Sequence, residues 1–128
     1  MTAHDSFTMA KRFRGFLPVA VDVETAGFNP QTDALLEIAA VTLRMNEAGR
    51  LERHQTFACH VQPFPGANLD PASLAFTGID PHHPFRDALP EHEVLQKIFQ
   101  PIRKAVRDSD CSRAILVGHN PWFDLAFI

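Results

Sequence analysis

The stretch "VAVDVETAGF" (19–28) sets an aspartate and a glutamate two residues apart inside a β-branched run. Val19, Val21 and Val23 favour an extended backbone, and side chains on a strand alternate with period two. Asp22 and Glu24 therefore share one face, with Cβ atoms roughly 7 Å apart near the strand's C-terminal end. Two anions so close repel unless a positive charge lies between them. One reading is a half-exposed strand showing a polar face to water. The other is a divalent-metal site, which requires a further carboxylate from a distant part of the chain.

The elements that would deliver it follow from punctuation and periodicity. A first strand is predicted over 17–24, and "TAGFNPQTD" after it reads as a loop. "LLEIAAVTLRM" (35–45) is a long apolar strand with Glu37 as its polar interruption. "NEAG" (46–49) turns it into a third strand over 54–63, giving an antiparallel meander. Asp70 as cap, Pro71 at the first helical position and Gly78 past the end predict a short helix over 71–77. "IDPHHPFRDALP" is a proline-rich loop. A longer helix starts near Pro90 with Val94, Leu95, Ile98, Phe99, Ile102 and Val106 on one stripe. Pro101 inside it is expected to kink or split the helix. "AILVGHN" (114–120) reads as a buried strand, and "NPWFDLAFI" opens a final helix with Asn120 as cap and Pro121 in its first turn.

A strand reached through a helical crossover usually runs parallel to its sheet neighbour. The fourth strand is then expected beside the first, both ending at one edge, where ligands of such sheets bind. Asp124, in the first turn of the last helix, would face Asp22 and Glu24. Three carboxylates suit a hard cation such as magnesium or manganese. Two such ions about 4 Å apart can activate a water and stabilise the leaving oxygen of a phosphodiester. Asp22, expected to be the most buried of the three, is the candidate to bridge them. A retaining glycosidase also uses two acids, but from opposite sides of the bond.

Bulk properties narrow the class. A chain of 128 residues makes one domain at most. The net charge of −3 argues against a general polyanion binder. Nucleic-acid contact would need local clusters, of which there are three: Lys11, Arg12 and Arg14; Arg44, Arg50 and Arg53; and Arg103, Lys104 and Arg107. Each is also readable as a solvated face. Cys59 and Cys111 stand far apart, as buried thiols in a reducing compartment would. Neither a signal peptide nor an apolar run of about 20 residues is present, which points to a cytoplasmic protein with no membrane partner.

"VDVETAGF" and "GHNPWFDLAFI" resemble the first two exonuclease motifs of the DEDD superfamily. The closer resemblance is to the ribonuclease T family of 3′-to-5′ exoribonucleases, which trim tRNA and other RNA ends. "RFRGF", "DVETAGFN", "TDALLEIAA", "GANL", "LAFTGIDP", "RAILVGHN" and "FDLAF" match it in order, over essentially the whole chain. The resemblance implies an α/β fold: a ribonuclease H-like mixed sheet flanked by helices, C-terminally truncated. Residues 1–128 would be a single exonuclease domain, incomplete after the second motif. Asp22, Glu24 and Asp124 become catalytic metal ligands, with two magnesium ions per subunit, or manganese. Phe28, Phe76 and Phe123 fall where the family wedges phenylalanines beside terminal bases, although core packing is the alternative for each. Arg12, Arg14 and Arg107 fall on positions that bind the RNA stem across a homodimer. His119 matches the second motif and is expected to orient the strand–helix corner. His54, His60, His82, His83 and His92 form no familiar metal spacing.

The family's third motif, which carries a fourth carboxylate and a water-activating histidine, is not among these residues. The chain as written is therefore expected to be catalytically inactive and only marginally folded. Two further readings stay open: a proofreading-type exonuclease acting on DNA, and a non-catalytic nucleic-acid-binding or dimerisation module.

Overall fold

The computed structural model describes residues 9–128. Helix α1 (Met9–Arg12) leads into β1 (Phe16–Thr25), β2 (Leu35–Met45) and β3 (Leu51–His60). Then follow α2 (Pro71–Thr77), a single 3-10 turn (Pro84–Arg86), α3 (Glu91–Asp108), β4 (Arg113–Val117) and α4 (Pro121–Phe127). The four strands form one mixed sheet in the order β3-β2-β1-β4. β2 is antiparallel to both its neighbours, and β4 is parallel to β1, as the helical crossover required.

Alternation decides which face of the sheet is core. Leu17, Val19, Val21 and Val23 of β1 are buried, and Ile38 and Ala40 stand opposite Val23 and Val21 on β2. Helix α3 closes this face with Val94, Ile98, Ile102 and Ala105. These positions are three or four apart, so they make one stripe. Each buried Val or Ile contributes about 1.5–3 kcal/mol of hydrophobic stabilisation. The opposite face carries Ala20 and Asp22, both exposed, and half-buried Glu24.

The short α2 forms where its punctuation predicts. The Asp70 carboxylate accepts the Ser73 N–H at 3.2 Å, and Gly78 adopts the left-handed φ of 72° that ends the helix. Four other expectations are corrected. β3 occupies 51–60 instead of 54–63. The Asn46 side chain accepts the N–H groups of Ala48 and Arg50 at 2.9 and 3.0 Å, which closes the hairpin early and pairs Met45 with Leu51. α3 runs unbroken through Pro101 instead of splitting there, its apolar stripe packed on the sheet across the whole length.

β4 is a half-exposed edge strand of 113–117, not a buried strand of 114–120. Ile115 and Val117 are about half exposed. The strand stops where Gly118 passes the Val21 carbonyl so closely that a Cβ would lie 3.0 Å from it. Asn120 does occupy the cap position of α4, but with a left-handed φ of 49° and no side-chain cap bond, so it turns the corner without capping through its amide. No helix among the described residues is long and apolar enough to cross a membrane.

Candidate active site

The parallel pairing of β4 with β1 covers Phe16 to Ala20 only, so the last half of β1 has no partner on that side. The sharp corner at residues 118–120 brings α4 back against this open length. Asp124, one turn into α4, is thereby carried to β1, where the Val23 N–H lies near enough to favour its charged form. It is 5% exposed, the most buried of the three acids. Asp22 is exposed and Glu24 half-buried. The expectation that Asp22 is the most deeply buried is therefore wrong: strand position sets the facing of Asp22, while the covering helix buries its own acid.

Electrostatics ties the three together. Burial pushes the Glu24 carboxyl above its ordinary range, and the charges of Asp22, Glu37 and Asp124 push it further. Burial and the charge of Asp22 likewise raise Asp124, partly opposed by the N–H groups of Val23 and Asp124 itself and by His119. Glu37 enters because it stands opposite Glu24 in the β1–β2 register. An all-oxygen donor set under mutual repulsion fits a hard divalent cation by chemistry and by charge. The side chains are not closed around one point: among the described residues no three His, Cys, Asp or Glu groups stand together as a metal-holding set.

Beside the acids lies a cleft of about 330 Å³ lined by Glu24, Gly27, Phe28, Ser73, Phe76 and Phe123, among others. Phe28 and Phe76 are 83% and 90% exposed, values that exclude core packing for both. Phe123 is half-buried against the core and meets Phe28 edge-on, ring centroids 6.1 Å apart. It packs and faces the cleft at once. Large aromatic groups left in water at the mouth of a cleft offer flat surfaces to a flat ligand.

Arg12, Arg14 and Arg107 are exposed, and none of them lines this cleft. Arg12 reaches the Gly49 carbonyl at 3.4 Å and lies near the Phe13 ring. Two residues that matter to the site's surroundings were not foreseen. Arg86 donates to the carbonyls of Leu36 (2.7 Å), Pro81 (2.9 Å) and Val61 (3.2 Å), pinning the proline-rich loop to the sheet beside Glu37. Asp33 holds the loop that bears Phe28. Arg86 acts on backbone carbonyls 25 and 50 residues away, and Asp33 on the Asn68 side chain 35 residues away, contacts that no local pattern marks.

The exonuclease family model matches residues 19–128. This chain belongs to the exonuclease family. Among curated relatives it is 62% identical over 120 residues to Ribonuclease T of Marinobacter nauticus, covering 94% of this chain and 54% of that protein. Identity to Ribonuclease T of Salmonella typhimurium is 58% over 120 residues, covering 94% of this chain and 56% of that protein. The chain thus spans about half the length of the curated relatives it matches.

Among solved structures, E. coli exonuclease I in complex with a dT13 oligonucleotide superposes with a TM-score of 0.66 at 18% identity. The match covers 88% of this chain and 22% of that one. Exonuclease I from Methylocaldum szegediense gives the same TM-score at 19% identity, over 88% of this chain and 22% of the other. These likenesses fix the fold: the ribonuclease H-like mixed sheet flanked by helices is present, as expected for an exonuclease domain.

Proposed function

We propose that this chain carries the first part of the active site of a Ribonuclease T-type 3′-to-5′ exoribonuclease, which hydrolyses phosphodiesters at the 3′ ends of tRNA and other structured RNA. The observation that supports it most is the adjacency of three charge-coupled carboxylates, Asp22, Glu24 and Asp124, to a cleft walled by exposed Phe28 and Phe76.

In this reading Asp22, Glu24 and Asp124 hold divalent ions, magnesium or manganese, two per subunit in the intact protein. Bound there, the metal supplies Lewis-acid polarisation of the phosphodiester and an activated water. The remaining work belongs to the chain. Phe28, Phe76 and Phe123 stack the terminal bases, each such stack contributing about 1–3 kcal/mol with little sequence demand. Stacking sets the scissile phosphate beside the carboxylates, and positioning of this kind lowers the barrier without new chemistry. Arg12, Arg14 and Arg107 hold phosphates of the RNA stem away from the cleft, in a homodimer. The domain over 1–128 is one part of the exonuclease unit, and the cytoplasm is its proposed location.

The test is incubation with matched RNA and DNA 3′ overhangs in magnesium, with full-length Ribonuclease T of Marinobacter nauticus as comparator. RNA ends are expected to be bound and shortened from the 3′ side, the 128-residue chain turning over slowly or not at all. Preference for duplex DNA with a mispaired end would overturn the RNA reading. Turnover equal to the comparator's would show that the chain carries a general base of its own.

A further inference from the structure

The cleft has two aromatic walls from separate segments, and one buried side chain joins those segments. Phe28 belongs to the loop after β1, while Phe76 belongs to α2, which begins just after residues 66–70. Asp33 is 7% exposed, and its carboxylate is shared between the two. Oδ2 accepts the Asn29 N–H at 2.9 Å, and Oδ1 accepts the Asn68 Nδ2 at 2.8 Å and the Thr32 hydroxyl at 3.1 Å. Backbone bonds run alongside: Asn68 N–H to Thr32 O at 2.7 Å, Ala34 N–H to Asn68 O at 3.3 Å and Asp70 N–H to Ala26 O at 2.8 Å. Gly27 lies against the same carboxylate so closely that a Cβ there would collide with it. The N–H of Asn29 and the amide of Asn68, with help from Thr32 and Phe28, hold the Asp33 carboxyl below its ordinary range.

We propose that Asp33, with Asn68, is a positioning residue for the 3′ end of a bound strand: it fixes the loop of Phe28 against the lead into α2 and so sets the separation of the two aromatic walls. This inference rests on the stacking role proposed above for Phe28 and Phe76. Asp33 touches neither base nor metal in that arrangement, and acts through Phe28. A carboxylate suits the task because it accepts from several N–H groups at once, and charge-assisted bonds are the stronger kind. Two segments clamped at one point also lose less freedom when a base enters between them.

The experiment uses the 128-residue chain and an oligoribonucleotide with 2-aminopurine at its 3′ terminus, in calcium. Affinity is read by anisotropy, and stacking by fluorescence quenching at saturating protein. The unaltered chain is expected to bind and quench. Asp33→Asn is expected to bind about tenfold more weakly, the scale of one hydrogen bond to a charged group, and to quench incompletely even at saturation. Adding Asn68→Asp to it reverses the direction of the bond between the two side chains and is expected to restore quenching.

In a Phe28→Ala background the Asp33→Asn change is expected to have no further effect on binding, a coupling that a double-mutant cycle measures. Should Asp33→Asn fail to fold, Asn68→Ala, at an exposed side chain, carries the same readouts. A lowered melting temperature with full quenching at saturation would make Asp33 structural only and overturn the proposal. Failure of the unaltered chain to bind or quench would overturn the stacking role itself, and this inference with it.

Discussion

Along β1 the two faces obey different physics. Val19, Val21 and Val23 are buried against α3 and β2, and the one polar residue opposite them, Thr42, spends its hydroxyl on the Gln55 backbone. On the other face Asp22 and Glu24 accumulate like charge with Glu37 and Asp124, and Arg86 offsets it only through Glu37. One face holds the fold together. The other is kept charged at a cost that the first offsets, an arrangement typical of sites that bind charge. Changes on the valine face are therefore expected to alter stability, and changes on the carboxylate side to alter binding.

The largest effect tests the packed side. Ile98→Ala opens a cavity under the sheet and is expected to cost about 2–5 kcal/mol in urea unfolding, a large share of the 5–15 kcal/mol a domain has. A cost below about 1 kcal/mol would show that α3 is not the main cover of this face. Next comes the cleft. Phe28→Ala and Phe76→Ala are each expected to weaken binding of a single-stranded 3′ end by about 1–3 kcal/mol, with unfolding midpoints unchanged. Loss of stability with normal affinity would return either ring to the core.

Asp22→Asn sharpens the contrast through pH. Glu24 and Asp124 have raised folded-state values, so the native chain binds more protons than the unfolded one just above the ordinary carboxylate range. Stability is thus lost as pH rises through that window. Removing the Asp22 charge relieves part of the shift. The variant is expected to lose magnesium binding in calorimetry while gaining up to about 1 kcal/mol of stability at pH 7, and less at pH 4. Undiminished metal affinity would remove Asp22 from the site. The smallest effect is expected at Arg107→Gln: within about 0.5 kcal/mol in stability, with a weaker salt dependence of RNA-stem binding. An unchanged salt dependence would leave Arg107 a solvated charge.

Local chemistry made much of this legible. Proline, glycine and a capping aspartate define α2 to the residue, because a helix end is satisfied by its own neighbours. The alternating valines define β1 and the shared facing of Asp22 and Glu24, and the crossover rule supplies the parallel β4. The ends of β3 and β4 were misplaced because partners terminate a strand. The Asn46 turn sets the start of β3, and the passage of Gly118 over Val21 sets the end of β4.

The sequence by itself determined the element types, the aromatic and acidic residues to consider, and the family they resemble, since these depend on short spacings and side-chain type. Only the tertiary structure decided which carboxylate is buried, that Glu37 lies opposite Glu24, that Phe28 and Phe76 face solvent, that Arg86 clamps distant backbone carbonyls and that Asp33 meets the Asn68 side chain. The contacts among them join residues far apart in the chain, such as Glu24 with Glu37, 13 positions on, and Asp22 with Asp124, 102 positions on. Register and packing create such contacts, and neither is written in any local stretch of chain.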